Sequence, residues 1–238
     1  MTDGWDESAA AWIADVGDRG DAARRFVLDA PMLARARDRG LRTALDVGCG
    51  EGRFCRMLRA LGVAPIGLDP TQAMIAEARR RDPDGDYRIG AAERLDFVDG
   101  SFDLLVSYLS LIDIADIGSA IAEMARVLRP GGTLLIANLH SITTAISPPG
   151  WRRDAEGNRT HYPVDNYMDE RAEWVAWRGI RIRNWHRPLS TYMRLLLDTG
   201  LELRHFDEPQ AGPDAPADEI DQQRRVPNFL IMEWQKAV

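Results

Sequence analysis

Residues 41 to 140 predict an α/β domain built on a parallel sheet with helices on both faces. Short apolar runs alternate there with amphipathic helical patterns at an even pace, which is the signature of strand–helix–strand units. A glycine loop, LDVGCGEG from Leu45 to Gly52, follows the first of these runs directly. The chain length of 238 residues suits one such domain with an elaboration, long enough to bury a full core.

The first forty residues are expected to be helical. Trp12, Ile13 and Val16 share helical spacing, and Phe26, Val27, Ala30 and Leu33 repeat it after a break at Gly17 to Gly20. Leu41 to Val47 then reads as a buried strand, Arg53 to Leu61 as a helix stopped by Gly62, and Val63 to Asp69 as a second strand. Pro70 suits a first helical position, with Met74, Ile75 and Ala78 giving that helix its apolar face. Tyr87 to Ile89 and Phe102 to Tyr108 are strands, and Ile117 to Leu128 is a helix ended by Pro130-Gly131-Gly132. Thr133 to Leu139 is the fifth strand. Residues 141 to 187 break the rhythm: they carry Pro148-Pro149-Gly150 and four of the seven tryptophans, and read as an insertion. Its end, EWVAWRGIRIRNW, predicts a hairpin turning at Arg178-Gly179. A helix from Leu189 to Asp198, a strand from Leu201 to Phe206, a proline-rich loop and a strand from Asn228 to Trp234 complete the chain.

The loop spacing excludes two common ligands. Gly48, Gly50 and Gly52 read G-x-G-x-G, and Arg53 stands where a dinucleotide fingerprint needs its third glycine. No Gly-Lys-Ser or Gly-Lys-Thr follows, so the loop is not a P-loop. In an open α/β sheet the ligand lies beyond the carboxyl ends of the strands, and the loop after the first strand borders that place. Bare glycines let a ligand approach the backbone, and N–H groups opening the next helix attract an anionic group by about 0.3 to 1 kcal/mol. Asp69, closing the second strand, is placed to accept hydrogen bonds from adjacent ribose hydroxyls, each worth roughly 1.5 to 3 kcal/mol. A nucleoside with an acidic tail and no required pyrophosphate fits both features.

LDVGCGEG, GLDP (Gly67 to Pro70), GAAERLDF (Gly90 to Phe97), SFDLLVSY (Ser101 to Tyr108) and LRPGGTLLIAN (Leu128 to Asn138), in that order, resemble the class I S-adenosylmethionine-dependent methyltransferases of the type-11 domain. The resemblance implies one Rossmann-like domain over 1–238 with a seven-stranded sheet and helices on both faces. It divides the chain into an N-terminal helical lid (1–40), a cofactor-binding core (41–140), a substrate cap inserted after the fifth strand (141–187), and a C-terminal helix with the last two strands (188–238). It implies S-adenosylmethionine as cofactor, with S-adenosylhomocysteine as product. By position, Asp46, Gly48, Gly50 and Gly52 surround its methionine part, with Cys49 a further cofactor contact in that loop; Asp69 binds its ribose, and Ala92 and Glu93 lie along its adenine, with Leu68 or Pro70 as apolar cover. Tyr108, Leu109 and Ser110 face cofactor and substrate, while Trp12 and Arg25 are the lid candidates. The sequence departs from the family at Ala91, where many relatives carry an aspartate, and at Asp96, where proline is common.

Methyl transfer is an in-line displacement, so positioning supplies up to about 7 to 11 kcal/mol in favourable systems, and a general base adds about 10² to 10⁴ fold. His140, His186 and Tyr108 are the candidates for that group, the histidines because they titrate near neutral pH. Trp151, Tyr162, Tyr167, Trp174, Trp177 and Trp185 are the expected walls of the acceptor pocket, and Arg181, Arg183 and Arg187 suit a substrate carboxylate or phosphate. The expected acceptor is a small molecule bearing an oxygen or nitrogen nucleophile, aromatic or carboxylate-bearing. The bland reading of each side chain stands beside these: histidines as structural hydrogen-bonding groups, aromatic rings as the insertion's own core, arginines as a solvated edge.

A formal net charge of -7 provides no basic field for nucleic acid or an anionic membrane, and SYLS after the fourth strand is not the Asn-Pro-Pro-aromatic signature of base methylation. That strand exit also lacks the acidic pair of aminopropyl transferases and the carboxylates of catechol-type enzymes, so no metal is expected. The two cysteines, Cys49 and Cys55, lack zinc-ligand spacing and read as free thiols. With no signal-peptide pattern in MTDGWDESAAAW and no membrane-length apolar run, the expectation is a cytoplasmic monomer or homodimer. A nucleic-acid methyltransferase and a non-catalytic S-adenosylmethionine-binding protein are the alternatives these residues leave open.

Overall fold

The computed structural model describes residues 3–147 and 150–238; Pro148 and Pro149 of the insertion lie outside the described residues. Helix α1 is Trp5–Val16, and a π-helical turn over Arg24–Leu28 runs into α2, Asp29–Ala36. Pro31, which cannot donate a helical hydrogen bond, follows this widened turn closely. The core then alternates: β1 Thr43–Val47, α3 Arg53–Ala60, β2 Ala64–Asp69, α4 Gln72–Arg81, β3 Asp86–Ile89, β4 Phe102–Tyr108, α5 Ile117–Val127 and β5 Leu128–Leu139. Thr71, not Pro70, borders α4 as its N-cap. Pro130-Gly131-Gly132 bulges out within β5 rather than preceding it, shifting the register against β4 between Phe102 and Leu104.

Beyond the core come α6 Ser141–Thr144, β6 Arg152–Arg153, β7 Arg159–His161, β8 Arg171–Trp177 and β9 Ile180–His186. They are followed by α7 Leu189–Asp198, β10 Leu201–Asp207, α8 Ala217–Arg225 and β11 Phe229–Lys236. The β8–β9 hairpin turns at Arg178-Gly179, both at positive φ, as a two-residue loop requires. Helix α8 occupies what the proline density marks as loop; acids in its first turn and arginines in its last suit the helix dipole.

Among the described residues, seven strands form one sheet in the order β10-β11-β5-β4-β1-β2-β3. β11 alone runs antiparallel to its neighbours β5 and β10. The chain leaves β1 toward β3 and returns to β4 on the other side, so the loops after β1 and β4 flank the switch point where α/β sheets bind ligands. Burial on both faces explains the unbroken apolar strands. Leu45, Val47, Leu105, Leu134 and Ile136 pack under α5 and α7, whereas Ala44, Leu104, Val106, Leu135 and Ala137 pack against α2 and α3. No helix among the described residues is long and apolar enough to cross a membrane.

The hairpin does not roof the sheet. It backs α1: Ile180 and Ile182 of β9 cluster with Ala9, Trp12 and Val16 of α1 and with Met74 of α4. Ser8 Oγ lies 3.0 Å from the Arg181 carbonyl and 2.9 Å from the Arg181 N–H, and the Arg183 N–H donates to the Asp3 carbonyl at 2.9 Å. The insertion thereby fixes the N-terminal helix over the carboxyl ends of the strands.

Candidate active site

A cavity of about 300 Å³ opens at the switch point, bounded by the glycine loop, the ends of β2 and β4, the turn after β3, and α1. Twelve of the site residues expected from the sequence line it: Trp12, Asp46, Gly48, Cys49, Gly50, Asp69, Pro70, Ala92, Glu93, Tyr108, Leu109 and Ser110.

The three glycines have three different reasons. A Cβ at Gly48 would sit 2.4 Å from Ser110 Cβ, and one at Gly52 would sit 2.5 Å from the Tyr87 ring. Both positions have positive φ, and protein rather than ligand fills the space beside them. Gly52 is the N-cap of α3 and lies behind the cavity wall, contrary to its expected place around a ligand. Only at Gly50 would a Cβ meet nothing within 4 Å, so this one glycine leaves open space on the cavity side.

Asp69 fixes the loop: Oδ2 accepts the Gly50 N–H at 3.0 Å and Oδ1 accepts the Thr71 N–H at 2.8 Å. Burial pushes its carboxyl up, against these two bonds. Asp46 is almost wholly buried; Cys55 Sγ approaches Oδ2 at 3.4 Å and Oδ1 has no partner. Burial pushes its carboxyl up to about 7, aided by the Asp69 and Glu51 charges. On the same wall Arg53 Nε is likewise buried without a hydrogen-bond partner, and Glu51 Oε1 has none either but faces the Arg56 guanidinium at 3.9 Å. The wall thus presents unsatisfied acceptors beside an unsatisfied donor, as a zwitterionic ligand requires.

Arg25 does not reach the cavity; its guanidinium lies 4.8 Å from the Phe26 ring centroid. The widened turn presents Arg24 instead, which lies over Trp12 at 4.8 Å and over Tyr108 at 5.5 Å and bonds Asp21 at 2.6 Å. Tyr108 walls the cavity with its ring, but its hydroxyl donates to Asp29 Oδ1 at 2.9 Å. Burial and the Asp29 charge push that phenol up, out of range for a base. Asp29 is also clamped by Arg53, at 2.9 and 2.5 Å, and Arg53 reaches the Arg19 carbonyl, so this network ties the N-terminal segment to α3.

Neither histidine lines the cavity, contrary to expectation. His140 caps α6: Nδ1 accepts the Ile142 N–H at 3.1 Å, leaving Nε2 to face Glu208 at 3.0 Å. His186 meets Thr144 Oγ1 at 2.8 Å and the Tyr167 carbonyl at 2.9 Å, which requires the proton on Nε2. Burial pushes both imidazoles down. The aromatic residues of the insertion are also elsewhere. Trp151 and Tyr162 line a separate groove near α8, Trp174 is 50% exposed, and Trp185 lies between Arg183 and Arg187. Arg187 is buried and donates to the carbonyls of Ile114 and Ala115, so it holds the loop after β4 rather than a substrate. Trp5, Arg24, Arg53 and Asp113 are cavity residues that periodicity did not single out, because their positions depend on how α1 and the π turn dock.

The family profile described as "Methyltransferase domain" matches residues 45–136, the segment that builds the cavity floor. Malonyl-[acyl-carrier protein] O-methyltransferase of Serratia marcescens is 33% identical over 210 residues, covering 87% of this chain and 76% of that protein. Demethylmenaquinone methyltransferase of Beutenbergia cavernae is 34% identical over 144 residues, 55% of this chain; the aligned part spans only 57% of that relative's length. The crystal structure of an S-adenosylmethionine-dependent methyltransferase from Mesorhizobium loti superimposes with a TM-score of 0.76 at 29% identity, covering 90% of this chain and 98% of that one. With a relative similar over most of both chains and the family profile seated on the strands that form the cavity, this chain belongs to the S-adenosylmethionine-dependent methyltransferases.

Proposed function

We propose that the chain transfers the methyl group of S-adenosylmethionine to a small-molecule acceptor, with the cofactor lying across the cavity from the glycine loop to the turn after β3. The observation that carries this reading is the Asp46 carboxylate, buried with one oxygen unpartnered beside the open space at Gly50. A ligand carrying a fixed positive charge and an ammonium offsets the desolvation that pushes Asp46 up, whereas a pyrophosphate would add to it. The residues present therefore fit this cofactor. Arg53 Nε suits its carboxylate, and Asp69, which accepts the Gly50 and Thr71 N–H groups and the Thr71 side chain, keeps one lone-pair site for a ribose hydroxyl. Pro70, Ala92 and Glu93 flank the remaining end, where the base would lie.

Once bound, the cofactor supplies an electrophilic methyl on a sulfonium. The chain's part is to hold the acceptor in line and keep water out, tasks that suit Trp12, Tyr108 and the α1 helix braced by the hairpin. The relatives named for demethylmenaquinone and malonyl-[acyl-carrier protein] support a small or carrier-bound acceptor rather than nucleic acid. So does the net charge of -7, while the two free, buried cysteines suit a reducing, cytoplasmic setting. Calorimetric titration with S-adenosylhomocysteine, with NAD as control, tests the reading. Saturable binding of the former alone supports it, and failure to bind S-adenosylhomocysteine overturns it.

A further inference from the structure

With both histidines and the Tyr108 hydroxyl occupied, the cavity retains two acidic side chains that no part of the cofactor accounts for, Asp3, which faces Arg183 at 3.7 Å, and Asp113. Asp113 ends the 3-10 turn Leu111–Asp113 after β4 and lines the cavity together with Trp5 and Trp12. Its orientation is set from two directions: Asn184 Nδ2 of β9 donates to Oδ1 at 2.5 Å, and the side chain of Trp5 on α1 is a second donor. Among the described residues no lysine or arginine is bonded to it. The charges facing it are Arg24, which favours the carboxylate, and Asp69, which opposes it; Asp3 also lines the cavity. Arg24 is already committed to Asp21 and to the faces of Trp12 and Tyr108. Burial pushes Asp113 up to about 8, as expected for a carboxylate without a direct counter-ion.

A ligand that satisfies this end of the cavity brings positive charge on an apolar body. An ammonium pairs with the carboxylate and is attracted to indole faces, while an alcohol leaves the charge unbalanced and a carboxylate adds to it. Resting on the methyltransferase reading above, we propose that the acceptor is a primary or secondary amine, bound as its ammonium to Asp113 beside Trp5 and Trp12, and that Asp113 takes its proton before transfer. The proton moves from nitrogen to a carboxylate oxygen of Asp113 and frees the nitrogen lone pair. That pair forms the new N–C bond as the S–C bond of the cofactor breaks, with the electrons of the broken bond staying on sulfur. The products are a methylated ammonium and S-adenosylhomocysteine, and Asp113 returns its proton to water. The insertion then acts through Asn184, which positions this acid.

The test is calorimetry on protein saturated with S-adenosylhomocysteine, titrated in turn with tryptamine, phenethylamine, 2-phenylethanol and 3-phenylpropionate. At least one amine should bind ten-fold or more tightly than the alcohol and the acid. Repeating the titration at pH 7 in buffers of different ionisation enthalpy should show release of close to one proton per amine bound. Asp113→Asn should abolish both the preference and the proton release while leaving S-adenosylhomocysteine affinity within two-fold. Asp113→Glu, which keeps the charge, should retain both at reduced affinity, and it carries the test if the asparagine variant melts early. Binding of neither amine, equal binding of all four probes, tighter binding of the acid, or a preference that survives in Asp113→Asn overturns the proposal. If the wild-type protein fails to bind S-adenosylhomocysteine at all, the cofactor reading fails instead, and the two failures are told apart at the first titration.

Discussion

Asp69 serves the loop and the ligand with the same carboxylate: each oxygen accepts one backbone N–H, the Thr71 side chain is a third donor, and one lone-pair site is left for a ligand hydroxyl. Asp69→Ala is therefore expected to lower S-adenosylhomocysteine affinity by about ten- to a hundred-fold, the equivalent of one charge-assisted bond of roughly 1.5 to 3 kcal/mol. It should also lower the melting temperature, because the Gly50 and Thr71 N–H groups lose their acceptor; calorimetry and a melting curve read the two effects separately. His186→Ala makes the opposite prediction. Both ring nitrogens are engaged away from the cavity, so the variant should lose about 1 kcal/mol per hydrogen bond and keep its S-adenosylhomocysteine affinity within two-fold. The contrast marks what was legible beforehand. Asp46 and Asp69 end strands whose direction the pattern fixes, whereas the histidines take their roles from Glu208, Thr144 and Tyr167, which only the fold brings near. Arg24 was hidden for a local reason: a single wide turn selects it over Arg25, and the apolar spacing around it reads as continuous helix.

The glycine loop shows how one motif mixes packing with binding. At Gly48 the backbone is left-handed, and the Ser110 side chain in the way is tethered to the Val47 carbonyl and to Ser107 at 2.7 Å each. Gly48→Ala should cost about 1 to 3 kcal/mol in strain, before any effect of overpacking, as read by chemical denaturation. Gly50→Ala shares the strain of a left-handed backbone but meets no protein atom, so beyond that strain its loss should be in cofactor affinity rather than in packing. Strands and helices between β1 and β5 were legible nearly to the residue because each is buried on a regular face. Helix α8 was not, since flanking prolines mask a short amphipathic segment. The β8–β9 hairpin was legible as a hairpin but not as the brace of α1, because periodicity carries no information about what a surface docks against.

The cavity leaves the free protein with a charge problem that appears in its pH dependence. Asp46 and Asp113 have carboxyls pushed up to about 7 and about 8, so between the unfolded value of 3.8 and those values the folded state holds protons that the unfolded chain has released. Their contribution to stability is full at low pH and is lost as pH rises through 7 and 8. The buried imidazoles of His140 and His186, pushed down from 6.5, work the other way as pH falls through 6.5, where the unfolded chain takes up protons that the folded chain refuses. Glu77, held near 2 by Arg80 and Arg81, matters only in acid. The shifts of Asp46 and Asp113 correspond to a fall of about 2 kcal/mol in unfolding free energy between pH 6.5 and pH 8, and Asp69, also pushed up by burial, acts in the same direction. Guanidinium titrations of the ligand-free protein at these two pH values should show that fall, and Asp113→Asn should remove more than half of it because the higher carboxyl contributes the larger share. A stability that is flat or rising across this window would mean that neither carboxyl is held protonated by the fold, and the cavity would then lack the electrostatic demand for a cationic ligand.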